Sequence, residues 1–140
     1  MPKYVIQEHN ASHLHWDLRL EMNGVLKSWA LPKVPPKVKK IKRLAIQVED
    51  HPISYAKFEG EIKEGYGKGT VKIWDKGTYE LIDDELSTQG RTQKNIQKDI
   101  FTKGKKIEFE IFGKKLKGKY VLVNAKLGGE KKNWLFMKID

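Results

Sequence analysis

The fold is indicated most clearly by one stretch of sequence, Leu14-His15-Trp16-Asp17-Leu18-Arg19-Leu20-Glu21. Apolar and polar side chains alternate at every position of this stretch, and such alternation is typical of a β-strand with one buried face. The apolar members predict one face of a hydrophobic core: Leu14, Trp16, Leu18 and Leu20. The polar members predict a row of imidazole, carboxylate and guanidinium groups on the opposite face: His15, Asp17, Arg19 and Glu21.

Short runs of the same kind surround this strand, and glycine and proline separate them. Asn23-Gly24 lies between the runs 14–22 and 25–31 and predicts a two-residue hairpin, because both turn positions accept a positive φ. Further strands are predicted at residues 4–7, 44–49, 70–75, 78–82, 106–112, 119–125 and 134–139. Residues 92–101 indicate one short helix, since Ile96 and Ile100 are four positions apart. The pattern predicts a mainly all-β fold, a closed or nearly closed β-barrel.

The composition limits the classes of protein to which the chain can belong. Its 140 residues fit one domain spanning residues 1–140, and a barrel of this size is expected to be a stable monomer. The chain has no cysteine, which excludes disulfides, thiolate metal sites and a cysteine nucleophile. No apolar run is long enough to cross a membrane and the first residues are not a signal peptide, so we expect a cytoplasmic protein.

The charge favours a polyanionic partner. Lys and Arg number 28 against 18 Asp and Glu, and the formal net charge is +10. Such an excess is typical of proteins that bind nucleic acid. The basic loop at residues 37–43 is the first candidate for phosphate contacts, and a solvated loop without a ligand is the alternative.

The polar face of the first strand carries the candidate chemistry. His15 and Asp17 are two positions apart and can reach one cation, and His9 can arrive from the preceding segment as a third ligand. Imidazole and carboxylate without thiolate suit Mn²⁺, Zn²⁺ or Fe²⁺. Arg19 comes next on that face and can bind a phosphate oxygen. Each residue of the row would have a function if the row lines the mouth of the barrel. Exposed strand histidines beside a surface ion pair are the alternative.

The sequence signals for three other residues are less specific. Glu21 is expected to hold Arg19 or a neighbouring strand, and His13 to have a supporting role. His51 follows a predicted strand, and it can contact a transferring phosphoryl group or merely fix the turn before Pro52.

Residues 7–21 closely resemble the signature of the 3′-phosphoesterase domain of bacterial ligase D, the multidomain end-joining enzyme. They read Gln7-Glu8-His9-Asn10-Ala11-Ser12-His13-Leu14-His15-Trp16-Asp17-Leu18-Arg19-Leu20-Glu21. The similarity continues through residues 24–33, Glu49-Asp50-His51-Pro52, Tyr55 and Phe58-Glu59-Gly60. It then reaches later short motifs up to Trp134-Leu135 and so covers nearly the whole chain in order.

This resemblance implies an eight-stranded β-barrel and a Mn²⁺-dependent enzyme, other divalent transition metals being possible cofactors. The expected activity removes a 3′-terminal phosphate from nucleic acid and trims a 3′ ribonucleotide, leaving a 3′-OH for repair ligation. By motif position, the resemblance assigns the metal to His9, His15 and Asp17. It assigns phosphate contacts to Arg19 and His51, with Gln7 and Tyr55 as supporting polar groups.

The chain departs from the family pattern at its beginning. Only eight residues precede His9, whereas the bacterial domains carry a longer arm, so we expect the ribonuclease step to be weaker or missing. With no ligase or polymerase attached, such a partner is expected to be a separate protein.

Two other function classes fit parts of the sequence. His15, Asp17 and a distant His51 also suit an Fe(II) oxygenase, which would make His51, and not His9, the third metal ligand. A non-catalytic nucleic-acid-binding barrel would bind unchanged after His9→Ala or His15→Ala and would retain no metal.

Overall fold

The computed structural model describes residues 1–65, 68–82 and 106–140. The strands in these residues are β1 (Lys3–Asn10), β2 (Leu14–Met22), β3 (Val25–Leu31), β4 (Arg43–His51), β5 (Gly60–Ile62), β6 (Gly69–Leu81), β7 (Lys106–Phe112), β8 (Lys117–Val123) and β9 (Asn133–Lys138). Two short 3-10 helices accompany them, Ile53–Lys57 and Leu127–Gly129. The helix predicted at residues 92–101 lies outside the described residues.

Eight of the strands close into an antiparallel barrel. Their order is β1-β2-β3-β4-β9-β8-β7-β6, and β6 pairs back onto β1. The short β5 adds to β6 beside the barrel. The prediction of an all-β, eight-stranded barrel is therefore confirmed. Across the described ranges, no helix is long and apolar enough to span a membrane.

Strand β6 differs from the sequence-based prediction, which divided it into runs at 70–75 and 78–82. It continues through Gly77, because this glycine is required by a close approach between strands and not by a turn. A Cβ at Gly77 would collide with the carbonyl oxygen of Phe112 on β7. The three-residue β5 was not predicted, since it is too short to develop an alternating pattern.

The core fills the inside of the barrel. Its largest fully buried side chains are Trp29, Tyr4, Tyr79, Tyr120, Phe109, Phe136, Ile6, Leu18, Leu20, Met22, Leu26 and Leu31. Burying each large apolar side chain stabilises the fold by about 1.5–3 kcal/mol. Trp16 packs against this core as predicted. Leu14 does not, because it lies at the strand end and is 47% exposed.

A buried carboxylate fastens the turn between β7 and β8 to the rest of the barrel. Asp75 on β6 accepts hydrogen bonds from the backbone amides of Lys114, Lys115 and Leu116 at 2.9, 3.0 and 2.9 Å. It also accepts one from the hydroxyl of Tyr4 at 2.9 Å. Burial, and then the charge of Asp75, raises the pKa of Tyr4, which therefore stays a neutral donor.

We expect Asp75→Ala to lower the free energy of unfolding by about 3–5 kcal/mol, because two buried donors (the Tyr4 hydroxyl and the Leu116 amide) and two part-buried backbone amides would lose their acceptor. Urea denaturation followed by circular dichroism measures this change. Asp50→Ala is the matched control, since the Asp50 side chain is 40% exposed and pairs only at the surface with Lys27. It should cost about 1 kcal/mol or less. Equal costs for the two variants would show that Asp75 does not fasten the turn.

Candidate active site

Strand register brings the predicted site residues to one face of the barrel wall. In the β1–β2 pair, Gln7 lies opposite Asp17 and His9 lies opposite His15. Directly opposite residues of an antiparallel pair place their side chains on the same face. Gln7 and His9 therefore join the polar row of β2, on the side of the wall that faces away from the core.

The sequence left open whether this row lines the barrel mouth. The row lies on the outer wall, and the segment after β4 covers it there. Nε2 of Gln7 donates to the carbonyl oxygens of Tyr55 and Phe58 at 2.8 and 3.2 Å. Under this cover Asp17 is only 6% exposed and Arg19 only 4%. The alternative of a solvated strand face is wrong for these two residues.

His9, His15 and Asp17 form a compact group of potential metal ligands. Their nearest ligand atoms all lie within 4.8 Å of one another. Nδ1 of His9 is 3.6 Å from Oδ2 of Asp17, and Nε2 of His15 is 3.3 Å from Oδ1 of the same carboxylate. Two imidazoles and one carboxylate converging in this way are a donor set suited to a divalent transition metal.

The orientation of His15 is set by its neighbour in sequence. Nδ1 of His15 lies 3.1 Å from the backbone carbonyl oxygen of His13. Because a carbonyl only accepts, Nδ1 carries the proton and donates it, and Nε2 is directed toward Asp17. The hydrogen bond with Asp17 raises the pKa of His15. The supporting role expected of His13 is thus carried by its backbone and not by its exposed ring.

Asp17 is held as a carboxylate in spite of its burial. Burial alone would raise its pKa, but the hydrogen bond from His15 and the positive charge of Arg19 together lower it. Nη2 of Arg19 lies 3.5 Å from Oδ2 of Asp17. The negative charge that a cation requires is therefore present at this position.

Arg19 is fixed by contacts along its whole guanidinium group. Nε donates to Oε1 of Gln7 at 2.6 Å, and Nη1 donates to Oγ of Ser28 at 2.8 Å. The ring of Tyr55 lies 4.9 Å from its central carbon and covers one face. Burial lowers the pKa of Arg19, but an arginine stays charged at any physiological pH.

His51 completes the group from the end of β4. Its Nδ1 lies 3.1 Å from Nη1 of Arg19, which can only donate, and 3.1 Å from the carbonyl oxygen of Glu49, which can only accept. One ring nitrogen satisfies only one of these contacts at a time, so the proton on His51 is coupled to Arg19. Burial and the charge of Arg19 lower the pKa of His51, which favours the neutral imidazole at pH 7.

All seven predicted site residues therefore meet in one place: Gln7, His9, His15, Asp17, Arg19, His51 and Tyr55. Glu21 is apart from them and accepts the backbone N–H of Lys3 at 2.8 Å, which agrees with the expected tie to a neighbouring strand. Ser28 was missed. The signal for it was available, because the two-residue turn fixes a register that places Ser28 opposite Arg19.

Comparison with known proteins identifies the family of the chain. The family described as the DNA ligase D 3′-phosphoesterase domain matches residues 7–124. The chain belongs to this family. It is similar to the multifunctional non-homologous end joining protein LigD of Pseudomonas aeruginosa, at 42% identity over 137 residues, covering 97% of this chain and 15% of the relative.

Two further relatives carry the same kind of name. The multifunctional non-homologous end joining protein LigD of Mycolicibacterium smegmatis is 43% identical over 138 residues, covering 95% of this chain and 16% of the relative. The multifunctional non-homologous end joining DNA repair protein LigD of Mycobacterium tuberculosis H37Rv is 56% identical over 78 residues, covering 55% of this chain and 10% of the relative. The chain thus spans about 15% of the length of the first two relatives.

Proposed function

We propose that the chain is a divalent-metal-dependent phosphoesterase that removes the phosphate from 3′ ends of nucleic acid strands. The single observation that carries this proposal is the group of His9, His15 and Asp17 directly beside the buried Arg19. A site for a cation and a fixed guanidinium share one carboxylate, so they can act on two oxygens of the same phosphate.

The ligand group fits a metal by its chemistry and its spacing. His9, His15 and Asp17 would hold the ion, and Mn²⁺ is the metal that the family resemblance favours. Asp17 is ionised and Nε2 of His15 faces it, and a bound ion would displace the proton that this nitrogen shares with Asp17. The chemistry that such an ion supplies when bound is Lewis-acid polarisation of a phosphate oxygen.

The surrounding residues would stabilise the charge that develops on the phosphoryl oxygens. Arg19 offers a fixed positive charge, and neutral His51 offers an N–H donor without adding a second charge. Ser28 is fully buried and donates its proton to the carbonyl oxygen of Leu26 at 3.1 Å, so it is a poor nucleophile. Water is therefore the nucleophile we propose: it adds to phosphorus, and the bond from phosphorus to the 3′ oxygen breaks to leave a 3′-OH.

The proposed setting is the processing of DNA ends before ligation. It is supported by the family and by relatives whose names describe non-homologous end joining. The substrate would be a 3′ end bearing a phosphate, and trimming of a 3′ ribonucleotide is proposed only as a weaker second activity. A ligase or polymerase would then use the 3′-OH.

The geometry weighs against the oxygenase alternative. That reading required His51 as the third metal ligand, but His9 groups with His15 and Asp17 within the described residues. His51 instead contacts Arg19. A non-catalytic binding barrel remains as one outcome of the test below.

We expect the purified chain to convert a primer–template duplex ending in a 3′-phosphate to the 3′-OH form only when Mn²⁺ is present. Denaturing gel electrophoresis of the labelled primer measures this conversion. His15→Ala should abolish it, because the ion would lose a ligand. A second duplex ending in a 3′ ribonucleotide tests the trimming step in the same assay.

His13→Ala is the matched control for this experiment. It removes an exposed imidazole two positions away but keeps the backbone carbonyl that holds His15. We expect it to retain most of the activity. No conversion with any divalent metal would reject the enzyme and favour a binding barrel.

Arg19→Lys tests whether the planar guanidinium group is needed in addition to its positive charge. Lysine keeps the charge but cannot contact Gln7, Ser28 and a phosphate oxygen together. We expect kcat to fall by about 10²–10³-fold, the scale for one lost transition-state donor. Single-turnover rates at saturating Mn²⁺ measure this loss, and Arg43→Lys serves as a control for protein stability. A rate within a few fold of wild type would contradict the role given to Arg19.

A further inference from the structure

Two chain segments rich in lysine and free of acidic residues come together outside the active site. Residues 32–43 contain six basic residues and no Asp or Glu, and residues 113–120 contain four basic residues and no Asp or Glu. These ten positive charges equal the whole net charge of +10. The excess charge of the protein is therefore concentrated in these two segments.

One tryptophan joins the two segments. Nζ of Lys37 lies 5.8 Å from the ring centroid of Trp74, and Nζ of Lys115 lies 4.6 Å from it. Both lysines are exposed, whereas the indole is half-buried and packs against the core. An aromatic face attracts an ammonium group within about 6 Å, so the ring holds two like charges near each other at the surface.

Further contacts fix the segments around this cluster. The hydroxyl of Tyr120 donates to the carbonyl oxygen of Pro36 at 2.8 Å, and Lys39 forms a backbone bridge with Lys138. Two acidic residues that contact these segments are already engaged. Asp75 is buried against the backbone of the β7–β8 turn, and Asp140 accepts from Lys138 at 2.7 Å and from the backbone N–H of Lys119 at 2.9 Å.

Strand pairing places this surface at the same end of the barrel as the candidate site. Loop 32–42 begins directly after Leu31, which pairs with Trp16, the residue between His15 and Asp17. Trp74 follows Ile73, which pairs with Gln7. The two lysines therefore flank the end of the barrel at which the candidate metal ligands lie.

We propose that Lys37 and Lys115, held by Trp74, form a phosphate-binding surface for the nucleic acid backbone upstream of the processed 3′ end. The inference rests on the proposed function, since it assumes a strand whose end occupies the His/Asp site. Phosphate contacts of this kind give affinity without sequence preference, because they release counterions from the backbone.

The test measures binding of a duplex with an ordinary 3′-OH in EDTA, so that no chemistry is involved. Fluorescence anisotropy at several salt concentrations gives the slope of log K against log salt. The double variant Lys37→Gln/Lys115→Gln should reduce the magnitude of this slope by about 2, because two phosphate contacts are lost. Its affinity should fall similarly for duplexes of unrelated sequence.

The control is Lys131→Gln/Lys132→Gln, which removes the same charge from exposed positions before β9, at the end of that strand remote from Lys138. It should leave the slope close to that of the wild type. Equal slopes for both double variants, or no binding by the wild type, would overturn the inference. If Lys37→Gln/Lys115→Gln reduces the slope but the wild-type chain does not hydrolyse 3′-phosphates, the phosphate-binding surface is supported and the proposed function is rejected.

Discussion

The candidate site depends on a positive charge placed where water is nearly absent. Arg19 is only 4% exposed, and an isolated guanidinium in such a position would cost several kcal/mol. It is accommodated because Gln7, Asp17 and Ser28 each meet one of its nitrogens and Tyr55 covers its face. These partners come from β1, β2, β3 and the segment after β4. The group that would stabilise a phosphate thus also holds four parts of the chain in a fixed relation.

The same strands build the core with one face and the site with the other. Leu18 and Leu20 fill the barrel, while Asp17 and Arg19 lie under the cover on the outer wall. A slip of one residue in the pairing of β2 would place charges in the core and leucines in the site, so the core enforces the register on which the site depends. Side chains on paired strands are also held more rigidly than side chains on loops, which would suit the proposed phosphate site.

Much of this arrangement follows from local patterns in the sequence. Alternation identified β2 and its two faces, and the motif around His9 and His15 identified the group of potential metal ligands. Alternation does not reveal what covers a face, so the cover that Tyr55 and its neighbours form over the polar row could not be predicted. Asp75 was missed for a related reason, because three of its partners are backbone amides about 40 residues away and the fourth, the Tyr4 hydroxyl, lies still further away along the chain. Contacts between a side chain and groups distant in sequence leave no local signal.

The proposed function needs a cation at the outer wall, and anomalous diffraction from crystals grown with Mn²⁺ measures its position most directly. Data collected on both sides of the manganese absorption edge distinguish this metal from other ions. We expect one strong peak coordinated by His9, His15 and Asp17, and no peak there in crystals of His15→Ala. A peak coordinated by His51 in place of His9, or the absence of a peak at this group in the wild type, would contradict the proposed metal centre.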